Sequence, residues 1–103
     1  MRTAQFGADG VARIRIGPQV YGTKWNIRRV AIQSTSATKP VFTMYRNSEQ
    51  ISSFVDGSKS GNSDSSETDI ELLTLDQLIC VWHNGTPGSY AAVSVQGRQD
   101  YGI

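Results

Sequence analysis

Apolar and polar residues alternate along most of this chain with a period of two, and turn-forming residues interrupt the alternation at short intervals. Successive side chains of a β-strand point to opposite faces, so this period predicts strands that are buried on one side. Nowhere do the apolar residues keep helical spacing over three turns. The pattern therefore predicts an all-β fold.

Seven segments carry the strand pattern, and each is bounded by Gly, Pro, Asn or Ser. They are residues 11–16, 24–34, 40–45, 51–55, 69–73, 78–83 and 90–96, and residues 2–6 would add an eighth strand. Within residues 24–34 the alternation slips by one position, which predicts a bulge or a bend near Arg28 and Arg29. The favoured architecture is an antiparallel β-sandwich, jelly-roll-like, with either Trp25 or Trp82 in its core.

Three connections can be interpreted from their residue types. The Asn84-Gly85 pair tolerates positive φ and predicts a tight hairpin that makes residues 78–83 and 90–96 sheet neighbours. Residues 56–68 contain no apolar side chain, which predicts an exposed loop. Residues 74–77 have the composition of a brief helical or turn-like link.

The length of 103 residues predicts a single domain that spans residues 1–103. Residues 1–10 precede the first clear strand and are expected to form an N-terminal arm, and residues 98–103 are expected to form a C-terminal tail. Apolar side chains on free ends favour a partner, which makes Phe6, Tyr101 and Ile103 candidate assembly contacts. The alternative is that both ends are frayed and have no role.

Charge and cysteine content exclude several classes of protein. The formal net charge is +1, so no long-range field attracts nucleic acid. The apolar runs are too short to cross a membrane, and residues 1–16 lack the apolar centre of a signal peptide, so we expect synthesis in the cytoplasm. Cys80 stands alone and cannot form an intramolecular disulfide.

The residues offer little for catalysis. His83 is the only histidine in the sequence and falls at the end of a predicted strand, where a structural role is ordinary. Cys80 is predicted to be a small buried residue, with nothing nearby in sequence to activate its thiol. No catalytic residues are therefore assigned, and the chain is predicted not to be an enzyme.

Oxygen donors in and next to the predicted loop suggest a hard cation such as calcium. They are Asp56, Asn62, Asp64, Glu67 and Asp69. Their spacing does not match an EF-hand, and a solvated polar loop is the favoured interpretation. The prediction is therefore that the protein binds no metal and no cofactor.

Several short runs resemble a known group of proteins. They are Ile16-Gly17-Pro18-Gln19, Trp25-Asn26-Ile27-Arg28-Arg29-Val30, Val41-Phe42-Thr43-Met44-Tyr45-Arg46-Asn47, Phe54-Val55-Asp56-Gly57, Ser60-Gly61-Asn62-Ser63-Asp64 and Val81-Trp82-His83-Asn84-Gly85. Over roughly residues 10–97 the chain resembles the small β-rich virion proteins of tailed phages that infect actinobacteria. One departure is Leu75-Asp76-Gln77, which stands where that pattern has a glycine-containing turn.

The resemblance implies a structural component of the virion that contacts the major capsid or tail protein and copies of itself. Capsid decoration suits the length of the chain, and a minor tail protein is the alternative within this class. A carbohydrate-binding or adhesion module is the alternative outside it. In that case Tyr21, Trp25, Trp82 and Tyr90 would form an aromatic stacking platform.

Overall fold

The computed structural model of the chain describes residues 2–18, 22–38, 40–49, 54–56 and 63–101. Its strands are β1 Arg2–Gln5, β2 Ala12–Ile16, β3 Thr23–Ser34, β4 Val41–Arg46, β5 Phe54–Asp56, β6 Ser63–Leu72, β7 Leu78–His83 and β8 Tyr90–Tyr101. They form two sheets in the orders β1-β8-β3-β6 and β2-β7-β4-β5. Every pairing is antiparallel, which confirms the predicted all-β sandwich.

The strand order is that of a jelly roll. The first strand pairs with the last, β2 with β7, β3 with β6 and β4 with β5. These pairings are those of one long antiparallel hairpin. Rolling that hairpin places β8 beside β3 in one sheet and β7 beside β4 in the other. The described residues contain no helix that is long and apolar enough to span a membrane.

The hydrophobic core lies between the two sheets. Trp82 and Phe42 are fully buried and meet edge to face, with ring centroids 4.9 Å apart and an interplanar angle of 60°. This confirms the prediction that one tryptophan lies in the core. Val30 of β3 and Leu72 of β6 are buried on the inner face of the other sheet.

The predicted irregularity in β3 is confirmed. The register of β3 against both of its neighbours shifts between Ile27 and Arg29. At this point β8 comes so close that a Cβ atom on Gly97 would lie 2.0 Å from the carbonyl oxygen of Asn26. Only glycine fits this position without movement of the backbone.

The predicted hairpin between residues 78–83 and 90–96 is wrong. β7 lies in one sheet and β8 in the other, so the two strands are not neighbours. Asn84 does have a positive φ of 62°, but the link then crosses between the sheets. Gly85 N–H donates to the carbonyl of Gly10, and Gly88 N–H donates to that of Phe6, so the turn bonds to the segment before β2 instead of closing a hairpin.

The predicted N-terminal arm over residues 1–10 is also wrong. Arg2–Gln5 forms β1 and pairs with the first part of β8. Phe6 is 2% exposed and belongs to the core cluster, so it is not free to contact a neighbouring molecule. A Cβ atom on Gly85 would lie 2.1 Å from the Phe6 ring, which shows how closely the ring fits against the link after β7.

Two further boundaries differ from the predictions. β8 continues to Tyr101, so residues 98–101 belong to the sheet and not to a tail. Ile103 and the side chain of Tyr101 lie outside what the structure describes. β6 begins at Ser63, inside the predicted loop, because an edge strand needs only backbone pairing to β3 and tolerates polar side chains.

Candidate assembly surface

The residues considered for catalysis occupy structural positions. Cys80 is fully buried in β7, between Ile14 of β2 and Met44 of β4. His83 is the last residue of β7 and is half-buried. Neither residue lines the cleft at the junction of β3 and β8 or the cleft beside the end of β2.

The oxygen donors considered for a metal do not form a described cluster. Glu67 and Asp69 project from β6 and are exposed, and Asp69 Oδ1 accepts a hydrogen bond of 3.1 Å from Asn26 Nδ2. Asn62 and the side chains of Asp56 and Asp64 lie outside what the structure describes. Within the described part of the chain, no three potential ligands come together.

The four aromatic residues considered for a sugar platform are separated. Trp82 is fully buried, and Tyr21 lies outside the described residues. Trp25 packs partly against the core, and its Nε1 donates a 2.6 Å hydrogen bond to Gln99 Oε1. Tyr90 is 52% exposed at the opposite end of β8, so it does not share a surface with Trp25.

Among the residues that the structure describes, the most unusual exposed one is Leu75, in the turn between β6 and β7. Its φ is 70°, in the left-handed region that leucine rarely adopts, and its side chain is 74% exposed. The other described non-glycine residues with positive φ are Asn47 and Asn84, and asparagine tolerates this conformation. Leu75 therefore combines backbone strain with an apolar side chain that gains no burial.

The turn that carries Leu75 is held by the carboxylate of Asp76. Its Oδ2 accepts a 2.9 Å hydrogen bond from Leu73 N–H and a 2.8 Å hydrogen bond from Arg46 Nη2. Its Oδ1 accepts a 3.2 Å hydrogen bond from Asn47 Nδ2. The hydrogen bond from Arg46 is the main reason that the pKa of Asp76 lies below its ordinary value, and partial burial opposes the shift.

Backbone contacts fix the turn on its other sides. Asn47 N–H donates to the carbonyl of Gln77, and Gln77 N–H donates to Asn47 Oδ1, both at 2.8 Å. Leu75 N–H donates to the carbonyl of Pro18 at 3.0 Å. A Cβ atom on Gly17 would lie 2.0 Å from the carbonyl oxygen of Asp76, so the two segments touch. The Leu75 turn, residues 73–77, is thus anchored to β4 and to the segment after β2.

The surface beside the Leu75 turn is suited to contact with another protein. A cavity of about 310 Å³ lies between the turn and the end of β2 and is lined by Arg15, Ile16 and Pro18, among others. Leu73, in the same turn, is 45% exposed. An apolar projection on a rigid turn, next to a hollow lined by both Arg15 and Asp76, is a shape that a partner can bind.

Sequence reasoning missed this site but contained a signal for it. Leu75 stands where a glycine-containing turn is expected, and the positive φ shows why glycine would suit the position.

No protein-family model matches the chain, and comparison with curated proteins and with solved structures gave no match.

Proposed function

We propose that this chain is a non-enzymatic structural protein of a phage virion, which decorates the outside of the capsid and docks through the Leu75 turn. Two kinds of observation support the proposal. The first is the resemblance of its strand-and-turn motifs to small virion proteins of tailed phages. The second is the jelly-roll topology, an architecture that viral capsid domains use.

The strain at Leu75 is the observation that carries the proposed docking role of this turn. A left-handed leucine costs roughly 1–2 kcal/mol, and at 74% exposure the isolated chain recovers little of that by burial. Covering this side chain with a partner would contribute about 1.5–3 kcal/mol. Because the turn is already rigid, little conformational entropy is lost on binding. A strained residue that is kept exposed in this way favours a binding role.

Lectin domains also use the jelly roll, so the carbohydrate-binding alternative has to be weighed. Its stacking platform depended on four aromatic residues, and Trp82 is fully buried against Phe42. The remaining exposed aromatic residue among the described positions, Tyr90, is far along β8 from Trp25. These positions favour the structural role over sugar binding.

The experiment uses a virus from which the gene for this chain has been deleted. Purified particles are incubated with the wild-type protein, with Leu75→Gly or with Leu75→Asn, and bound protein is measured after sedimentation. Both substitutions suit a positive φ but remove the apolar side chain, so they should weaken binding by about 10-fold or more. Asn84→Gly changes another residue with positive φ and should bind like the wild type.

Electron microscopy of the reconstituted particles then locates the protein. Density on the shell would support capsid decoration, and density confined to the tail would support the minor tail alternative. Wild-type protein that fails to bind either part of the particle would overturn the virion proposal. Equal binding by both Leu75 variants would overturn the role of the turn.

A further inference from the structure

Asn84 and Gly85 form a pair of the kind that most readily undergoes spontaneous deamidation. Glycine has no Cβ atom, so its backbone nitrogen is unshielded from the side-chain amide of the preceding asparagine. In this reaction the Gly85 nitrogen attacks Cγ of Asn84, a bond between them forms as the Cγ–Nδ2 bond breaks, and ammonia leaves with the backbone amide proton. Water then opens the succinimide to aspartate or isoaspartate. Asn84 is exposed, so water reaches its side chain.

The attacking nitrogen of Gly85 is engaged in the folded chain. Its N–H donates a 2.9 Å hydrogen bond to the carbonyl of Gly10, in the segment before β2. A base has to remove this proton before the nitrogen can attack, and the carbonyl of Gly10 occupies the place that the base needs. The hydrogen bond therefore has to open before deamidation begins.

The other end of the same peptide group is held as well. Thr38 Oγ1 donates a 2.7 Å hydrogen bond to the carbonyl oxygen of Asn84. The φ of Asn84 is 62°, and this left-handed conformation directs the next backbone nitrogen away from the side chain. Ring closure therefore requires the peptide group to rotate, and hydrogen bonds at both of its ends resist the rotation.

Packing leaves Gly85 little space in which to rotate. The residue is buried, and a Cβ atom on it would lie 2.1 Å from the Phe6 ring. On the other side, a Cβ atom on Gly10 would lie 2.9 Å from the carbonyl oxygen of Gly85. Gly88 N–H also donates to the carbonyl of Phe6 at 3.0 Å. The peptide group can rotate only if the link after β7 separates from the segment before β2.

We infer that Asn84 is a latent modification site, which the fold keeps intact and which deamidates only when the link after β7 opens. Isoaspartate adds a carbon atom to the backbone, so the hydrogen bond from Gly85 to Gly10 cannot re-form in that product. The modification thereby makes an opening of this junction permanent. The inference does not depend on the proposed docking, because the Leu75 turn lies at the other end of β7.

Mass spectrometry of peptides from the purified chain, after incubation at mildly alkaline pH, measures the deamidation rate of Asn84. A synthetic peptide of residues 81–90 gives the unprotected rate. The folded chain should deamidate at least about 10-fold more slowly than the peptide, because its buried, hydrogen-bonded amide reacts only through local opening. The same chain unfolded in urea should match the peptide under the same solvent conditions.

Thr38→Val tests the local hold without disturbing the core. The substitution removes the hydroxyl that donates to Asn84, at an exposed position, and should raise the deamidation rate about 3-fold or more. Thr74→Val removes a hydrogen bond of the same length, to the carbonyl of Thr23, and should leave the rate unchanged. A folded wild-type chain that deamidates as fast as the peptide, or a Thr38→Val rate no higher than that of Thr74→Val, would overturn the inference.

Discussion

Arg46 Nη2 donates a 2.8 Å hydrogen bond to Asp76 Oδ2, and this contact ties the end of β4 to the turn that presents Leu75. The same oxygen accepts from the backbone N–H of Leu73. One carboxylate therefore holds both the backbone of the turn and the strand beside it. The rigidity of the proposed docking surface depends on this group.

The first prediction concerns the pH dependence of stability. The folded pKa of Asp76 lies below its ordinary value of 3.8, chiefly because of Arg46, so the charged form is favoured in the folded state. Its stabilisation is complete above that value and is lost as the pH falls through the folded pKa. Asp76→Asn should lower the free energy of unfolding by about 1–2 kcal/mol at neutral pH.

Urea unfolding of wild type and Asp76→Asn across the acid range tests this prediction. The difference between them should be constant near neutrality and should shrink below about pH 4. Glu49→Gln, which removes the exposed ion pair of Glu49 with Arg13, is the control and should change stability by less than about 0.5 kcal/mol. A difference that stays constant down to the lowest pH would contradict the assigned role of Asp76.

The second prediction is that Leu75→Gly stabilises the isolated protein. Glycine removes the strain of the left-handed leucine, and the exposed side chain contributes little burial. The expected gain is about 0.5–1 kcal/mol, or a rise in melting temperature of a few degrees. Calorimetry measures it, with Asn84→Gly expected to give a smaller gain because asparagine tolerates positive φ. A loss of stability in Leu75→Gly would show that the leucine is not strained.

The third prediction follows from the burial of Phe6. Phe6→Ala should cost about 3–5 kcal/mol, because it opens a cavity in the core. Gly85→Ala should also destabilise the fold, since its Cβ atom would overlap the Phe6 ring. Removal of residues 1–8 should therefore lower the melting temperature sharply. A truncated protein with the melting temperature of the wild type would show that residues 1–8 are a dispensable arm.

The fourth prediction is that the fold does not depend on a metal. Chelation or added calcium should shift the melting temperature by less than about 5 °C, the change that roughly 1 kcal/mol produces in a domain of this size. Differential scanning fluorimetry with and without chelator is the measurement. A larger fall in melting temperature on chelation, reversed by calcium, would show that the acidic residues around β6 bind a metal ion.

The sequence by itself determined the class of fold and several strands. The alternation in residues 11–16 and 78–83 predicted β2 and β7 almost residue for residue, and the slip near Arg28 predicted the bulge in β3. These features are local, because the alternation along β2 marks its buried face, whereas β7 is buried on both faces. The burial of a tryptophan followed from the same reasoning.

Only the tertiary structure decided which strands pair and what the chain ends do. β7 and β8 are close in sequence but lie in different sheets, because their partners come from distant segments. Phe6 is buried by the link at Gly85, and the polar strand β6 exists through backbone bonds to β3. The strain at Leu75 likewise arises where β4 and the segment after β2 fix its turn. Such contacts join residues far apart in sequence, and no local pattern encodes them.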